Sequence, residues 1–568
     1  MRVNGRACAA VVQRPTLTDI ETRRRKRRMA TAVAYGVAAV VDDVPQTYKE
    51  AMTSSEAAQW LPSMQREIAS CEEQATWQLV KRAELPAGTN VLPVKWVFKK
   101  KTDENGALTV YKSRITPKGF RQKQGVDYHE VFASTGKYKT LRVMLSLAAR
   151  RDMRLVQMDV PSAFVRADLE EEVFMEMPPG FEQPGMVCKL LKSLYGLKQS
   201  PRNWYKLLSS FIANELGWTA CVSDPCLFWR RSASGKLMLL FVFVDDMQAA
   251  YEQSDEAEWL ATQQQLVARF ETKVLGDSRW MLGMRITRDP ATRTIQLDQE
   301  LYVTKALERY GLAQCKHART PASSSHGAPD DERYDCDGGG GATDAQLYME
   351  KVGTLLYAAI STRPDIGYAV HQLTRHMQAP LRRHMVAADR VLRYLAGTRT
   401  LGLRFGSPST EHSSAQVSAF ADADWGGDKV DRKSTTGWIA RIDGDVVSWA
   451  SKKQSAVALS TCEAELYAEA AAMQETQWLR GLLQELGLSD GSPALIYGDN
   501  QSAIAVTQNG VRSERTKHID IRFHFVTDMV ERGSAQLQWV PTQQQQADIL
   551  TKALGEQQFV ELRNKLMA

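Results

Sequence analysis

Leu237-Met238-Leu239-Leu240-Phe241-Val242-Phe243-Val244-Asp245-Asp246 is the stretch that decides how this chain folds. An unbroken apolar run of this kind predicts a strand buried on both faces, and Met247 and Ala249 resume it after the two aspartates. Adjacent acids inside such a run are costly in a dry core unless they are paired or bound to metal. They are tolerable at an exposed hairpin tip, where Asp favours turns. Leu155-Val156-Gln157-Met158-Asp159-Val160 ends another apolar run, which places Asp159 at or near a strand terminus. Three carboxylates on neighbouring strand ends would hold two Mg²⁺ ions against the attacking and leaving oxygens of a phosphoryl transfer. Spacing alone fits both arrangements.

Composition sets the frame. At roughly 150 residues per domain, 568 residues suggest about three or four domains. Hydrophobic and charged fractions of 43% and 24% exclude a mostly disordered, collagenous or membrane-embedded chain. The longest apolar candidate, Met29 to Val41, falls short of the ~18 residues a membrane span needs. A net charge of +6 names no partner. The 8 cysteines are scattered without a Cys-x-x-Cys pair, which points to reduced thiols in an intracellular protein rather than a zinc module or disulfide framework. The run Arg23-Arg24-Arg25-Lys26-Arg27-Arg28 is either a nuclear address, a nucleic-acid arm or a solvated tail.

Along the chain, helical spacing from Tyr48 to Glu67 puts Trp60, Met64 and Ile68 on one face. Val94–Phe98 and Leu108–Tyr111 are β-rich runs around Asn105-Gly106, the strongest short-range hairpin signal. Lys95, Lys99, Lys100, Lys101, Lys112, Arg114, Lys118, Arg121 and Lys123 make this hairpin region suited to a polyanion. A mixed α/β stretch follows to about residue 310, then a Ser-, Pro-, Asp- and Gly-rich linker over 322–345 and helices over 346–406. Strands over Val417–Ala450, a long helix and a second α/β unit complete the chain.

A second set of acids lies in that unit. Asp422 and Asp424 share one face of a strand, Ser460 and Glu463 fit a capping box that leaves Glu465 available one turn further in, Asp499 follows a short strand, and Asp548 starts a helix. By spacing alone these could be unrelated surface carboxylates.

Several blocks together resemble copia-type LTR retrotransposon Pol polyproteins, in their reverse transcriptase and ribonuclease H portions. They are Tyr111-Lys112-Ser113-Arg114, Lys118-Gly119-Phe120-Arg121-Gln122, Gly125-Val126-Asp127-Tyr128, Gln157-Met158-Asp159-Val160, Ser193–Arg202 and Val244-Asp245-Asp246. The resemblance runs from about Tyr48 to Leu554 and implies an α+β, mixed α/β architecture. It divides the chain into a disordered basic leader (1–47), palm-and-fingers reverse transcriptase (48–320), linker and helical connection (321–410) and a ribonuclease H-like mixed sheet with helices (411–568). It implies metal-binding catalytic roles for Asp159, Asp245 and Asp246, and for Asp422, Glu465, Asp499 and Asp548, with Asp424 as the alternative to Asp422. Each set would take two Mg²⁺ ions, or Mn²⁺. Arg114 would grip nucleotide phosphates, Phe164 would crowd a ribose 2′-hydroxyl, and Tyr195, Gly196 and Lys198 would line the dNTP pocket. His518, in Lys517-His518-Ile519-Asp520, would serve water or product handling or be structural.

The implied partners are an RNA template, a DNA primer, the RNA–DNA hybrid and dNTPs, with no membrane, and a homodimer or association with capsid and integrase portions. The implied location is cytoplasmic and particle-associated, or nuclear through Arg23–Arg28. Phe243 stands where many relatives carry Tyr, Ser134 replaces an expected Pro, and no motif for a capsid zinc knuckle, protease or integrase is present. The rival expectation is a catalytically inactive or host-adopted nucleic-acid-binding remnant, against which the seven retained carboxylates speak.

Overall fold

The computed structural model describes residues 44–102, 108–323, 341–406, 415–509 and 520–567. The basic run at 23–28, the apolar segment at 29–41, the Asn105-Gly106 turn, most of the expected linker and the 512–518 block with His518 lie outside the described residues. The architecture is the expected mixed α/β one.

Near the N-terminus the expected single helix is two, Tyr48–Thr53 and Ala57–Glu73. The Thr53 and Ser54 hydroxyls donate to the Lys49 and Ala51 carbonyls and so end the first helix locally. The second helix buries Trp60 and Met64 beneath the hairpin of Val94–Thr102 and Leu108–Pro117. Period-two alternation sends Val94, Trp96 and Phe98 inward and leaves Lys95 and Lys99 exposed. Trp60 meets Phe98 and Tyr111 edge-on, at ring distances of 5.0 and 4.7 Å.

The decisive run becomes the strand Leu237–Phe243, central in a six-stranded antiparallel sheet. Helix Tyr138–Arg150 covers one face of that sheet. Trp204, Leu208, Trp259 and Phe270, from Ser200–Ser210 and Glu256–Phe270, cover the other. A four-stranded sheet follows, closed by Leu403–Phe405 pairing with Thr294–Asp298. That strand falls within the segment expected to be helical. Three residues alternating apolar, charged, apolar are too few to display a period. Helices Gly341–Ser361, Gly367–Thr374 and Arg382–Ala396 fill the rest of the segment, the first starting inside the expected linker.

The C-terminal sheet has five strands in the order Asp445–Lys453, Thr435–Ile442, Val417–Asp424, Ala494–Gly498, Ala535–Trp539. The first three are antiparallel and the last two run parallel to Val417–Asp424. Helix Thr461–Glu485 packs across it.

Helix Tyr138–Arg150 also faces this C-terminal unit. Lys139, Arg142, Ser146 and Arg150 recur at intervals of three and four, one stripe of a helix. Lys139 Nζ lies 2.9 Å from Glu475 and 3.6 Å over the Trp478 ring. The buried Arg142 guanidinium donates to the Val447, Ile360 and Ser361 carbonyls at 2.6, 3.0 and 2.8 Å, and lies 4.2 Å from the Trp449 ring. Ser146 Oγ donates to Asp445 at 2.7 Å, and Arg150 pairs with the same carboxylate at 3.3 Å. One continuous apolar core accordingly joins Leu141 and Leu145 to Leu392, Ile439 and Leu482. Among the described residues no helix is long and apolar enough to cross a membrane, and the six cysteines are free thiols.

Candidate active sites

Phe243 and Asp246 face each other across the central hairpin, so Val244 and Asp245 are its two turn residues. Val244 adopts a left-handed φ of 58°, a strained conformation for a β-branched residue. Trp204 Nε1 donates to the Val244 carbonyl at 2.7 Å, and the Val160 amide donates to the Asp245 carbonyl at 2.9 Å. The return strand lies beside Arg154–Asp159 with Asp246 directly opposite Asp159. Turn and acidic cluster are therefore the same feature: the hairpin tip is half-buried and brings three aspartates onto one edge.

Arg114, Tyr195 and Phe164, nominated from distant parts of the sequence, stack next to one another. The Arg114 guanidinium lies 4.0 Å over the Tyr195 ring, and Phe164 meets that ring edge-on at 4.5 Å. Burial, with added repulsion from Asp245 and Asp159, pushes the Tyr195 hydroxyl up to about 12 against the pull of Arg114. That hydroxyl is buried without a hydrogen-bond partner among the described residues. Gly196 has φ of +102°, and a Cβ there would stand 2.5 Å from the Pro117 carbonyl oxygen, so the backbone itself requires glycine.

Lys198, expected at the dNTP pocket, joins two of the sequence blocks. Its Nζ donates to the Gln122 carbonyl at 3.1 Å and to Tyr128 Oη at 3.2 Å, clamping one block onto another. Gln122 Nε2 donates to Gln199 at 2.9 Å, and Gln199 Nε2 donates to the Asp127 carbonyl at 2.9 Å. These blocks thus owe part of their residue pattern to a buried amide network that holds the Tyr195 loop.

In the C-terminal unit, one ligand oxygen each from Asp422, Glu465 and Asp499 lies within 4.8 Å of the others. This is the one such convergence of three acids or metal-ligating side chains among the described residues; the carboxylates of Asp159, Asp245 and Asp246 do not close to that distance. Asp424, at the end of the same strand as Asp422, is not part of the set. Ser460 Oγ accepts from the Glu463 amide at 3.1 Å, and Glu463 accepts from the Leu459 amide at 2.6 Å and from Tyr467 at 2.9 Å. Glu463 is therefore a capping residue, and the rigid first turn delivers Glu465 to the sheet.

Asp548 sits in a short 3₁₀ helix, Gln546–Leu550, where an ordinary helix start was expected. Gln545 Nε2 fixes that turn by donating to the buried Ala421 carbonyl at 2.8 Å. Burial and the neighbouring Asp422 push Asp548 up to about 7. Burial, then Asp422, Asp499 and Glu469, raise Glu465 well above the carboxylate range, and burial and Asp422 raise Asp499.

Three participants escaped the sequence reading. Thr551 donates its hydroxyl to Asp422, and Lys552 forms an ion pair with Asp548. Glu469 is fully buried, held up to about 8 by burial, with one oxygen lacking a partner among the described residues. The i,i+4 spacings Asp548–Lys552 and Glu465–Glu469 were the available signals. Hard carboxylate oxygens, convergent and repelling one another, suit Mg²⁺ or Mn²⁺.

Two sets of acids thus sit on two different sheets: Asp159, Asp245 and Asp246 on the six-stranded sheet, and Asp422, Glu465 and Asp499 at the five-stranded mixed sheet. Residues 74–324 match the family described as reverse transcriptase (RNA-dependent DNA polymerase). The chain is 39% identical over 526 residues to the retrovirus-related Pol polyprotein from transposon TNT 1-94 of Nicotiana tabacum, covering 91% of this chain and 38% of that one. It is 35% identical over 533 residues to the Pol polyprotein from transposon RE1 of Arabidopsis thaliana, covering 93% and 35%. Residues 74–324 thus match the reverse transcriptase family, and the similarity to transposon Pol polyproteins extends over nine tenths of the chain. The chain spans little more than a third of the length of these relatives. Among solved structures, the foamy viral protease-reverse transcriptase in complex with double-stranded DNA aligns at 12% identity and a TM-score of 0.44, covering 95% of this chain and 84% of that one. An RNase H1 from Halobacterium salinarum aligns at 16% identity and a TM-score of 0.18, covering 24% of this chain and 94% of that one.

Proposed function

We propose that this chain extends a DNA primer along an RNA template and cleaves the RNA strand of the resulting hybrid. One observation carries the polymerase: Asp246 lies opposite Asp159, with Asp245 in the adjoining turn and the Arg114–Tyr195–Phe164 stack in electrostatic reach of them. The convergence of Asp422, Glu465 and Asp499, with Asp548 linked to Asp422 through the Lys552 ammonium, supports the nuclease.

Arg114 presents a planar cation to the triphosphate of a dNTP. Phe164 and Tyr195 form a tight aromatic wall against which a ribose 2′-hydroxyl would be crowded. The exposed cationic face of the hairpin, where Lys99 lies opposite Lys112, takes the nucleic-acid backbone. Asp159, Asp245 and Asp246 would hold one pair of Mg²⁺ or Mn²⁺ ions, and Asp422, Glu465, Asp499 and Asp548 the other. When bound, these ions neutralise charge developing on the attacking and leaving oxygens. The protein's part is placement: two rigid sheets fix the carboxylates, and no Ser or Cys nucleophile is required.

Separation of the activities tests this. Asp245→Asn should lower primer extension by about two to three orders of magnitude and spare hybrid cleavage. Glu465→Gln should do the reverse. Absence of incorporation by the unaltered chain at every Mg²⁺ and Mn²⁺ concentration would overturn the polymerase and leave a nucleic-acid-binding remnant. Unchanged cleavage by Glu465→Gln would overturn the nuclease assignment.

A further inference from the structure

Lys552 Nζ stands 2.9 Å from Asp548 Oδ1 and 3.9 Å from Asp422 Oδ2, so one ammonium bridges two of the four nuclease acids. Its backbone is tied in the same place: the Lys552 amide donates to the Asp548 carbonyl at 3.3 Å. The preceding residue, Thr551, donates its hydroxyl to Asp422. The two carboxylates are fixed and almost wholly buried, at 1% and 4% side-chain exposure, whereas the Lys552 side chain is 40% exposed. One member of this ion-pair set can therefore withdraw into solvent and the other two cannot.

An ammonium on a flexible four-carbon stem is a mobile point charge. Between buried carboxylates it offsets repulsion that would otherwise fall on the folded chain. A divalent ion held by Asp422 and Asp548 would compete with the ammonium for the charge of these same two carboxylates. Resting on the nuclease reading above, we propose that Lys552 is a built-in counterion that holds the Asp422–Asp548 side of the site until a divalent cation displaces it. It thereby sets the cation concentration at which the nuclease loads. The cost of expelling the ammonium is subtracted from the binding free energy of the incoming ion. Lys552 is a positioning residue in this role; it acts through the carboxylates and not on the RNA.

The test is calorimetric titration of Mn²⁺ into the full chain carrying Asp245→Asn and Asp246→Asn, which removes two of the three acids of the other set. In that background Lys552→Met should bind Mn²⁺ about tenfold tighter, the equivalent of losing one modest competing ion pair. It should also melt at a lower temperature in EDTA, with Lys552→Arg close to the parent on both measures. Lys552→Gln repeats the comparison if the Met variant does not fold. Equal or weaker Mn²⁺ binding by the Met and Gln variants, in a chain whose binding heat is abolished by Asp422→Asn, overturns the counterion role and leaves the nuclease site standing. Binding heat indifferent to Asp422→Asn overturns both.

Discussion

Asp548 and Glu469 bind protons far more tightly in the folded chain than carboxylates do in water, with values of about 7 and about 8. Burial is the leading cause for both, joined at Asp548 by the charge of Asp422. A raised folded value means that the folded state holds a proton which the unfolded chain has already released. The resulting stabilisation is full at pH below the ordinary carboxylate range and is lost as pH rises through about 7 and 8. In EDTA the chain should therefore melt at a lower temperature at pH 8.5 than at pH 5.5, with a slope of up to about 1.4 kcal/mol per pH unit for each group titrating. Mg²⁺ should restore stability at pH 8.5 and do little at pH 5.5, because a protonated carboxyl is a poor ligand. Thermal melts at both pH values with and without Mg²⁺ check this; a metal-free chain more stable at pH 8.5 would contradict it.

The elements show how local chemistry becomes geometry. Helix Thr461–Glu485 starts where it does because Ser460 accepts from the Glu463 amide, and that start places Glu465 against Asp422. Ser460→Ala should cost about 1 kcal/mol. It should also reduce hybrid cleavage while primer extension stays at the parent rate; a loss of extension instead would show that the cap serves another element. Much of this was legible in advance. The strand Leu237–Phe243, the capping of the long helix and the strand before Asp499 each carry a local signal, in apolar run, cap spacing or β-branched content. The strand Leu403–Phe405 carries none, because its pairing partner lies more than a hundred residues upstream. The break after Thr53 depended on two hydroxyls bonding back to their own helix. At the sites, spacing left Asp159, Asp245 and Asp246 open and the family resemblance singled them out, but only the ladder register sets Asp246 opposite Asp159. Lys198 carried the right charge in the right block, and its amine is engaged by Gln122 and Tyr128, contacts that no linear pattern reveals.

At the scale of the molecule, helix Tyr138–Arg150 is packed from two sides, supporting the six-stranded sheet with one face and the C-terminal unit with its Lys139–Arg150 stripe. Burial holds the Arg142 guanidinium down to about 9. Two of its three carbonyl partners, those of Val447 and Ser361, are buried with it. Arg142→Met should cost about 3 kcal/mol or more through those orphaned carbonyls. It should depress extension and cleavage together. Scanning calorimetry of the parent should show one cooperative transition for both units, as expected of a shared core. Two well-separated transitions, or a variant impaired in one reaction alone, would show that the units are independent. The same helix bears on heredity. A recombination crossover between residues 150 and 415 would join one parent's stripe to another parent's Glu475, Asp445 and Trp449. Hybrids between diverged copies should then survive when both sides of that contact come from one parent, so the two catalytic units are inherited as a block.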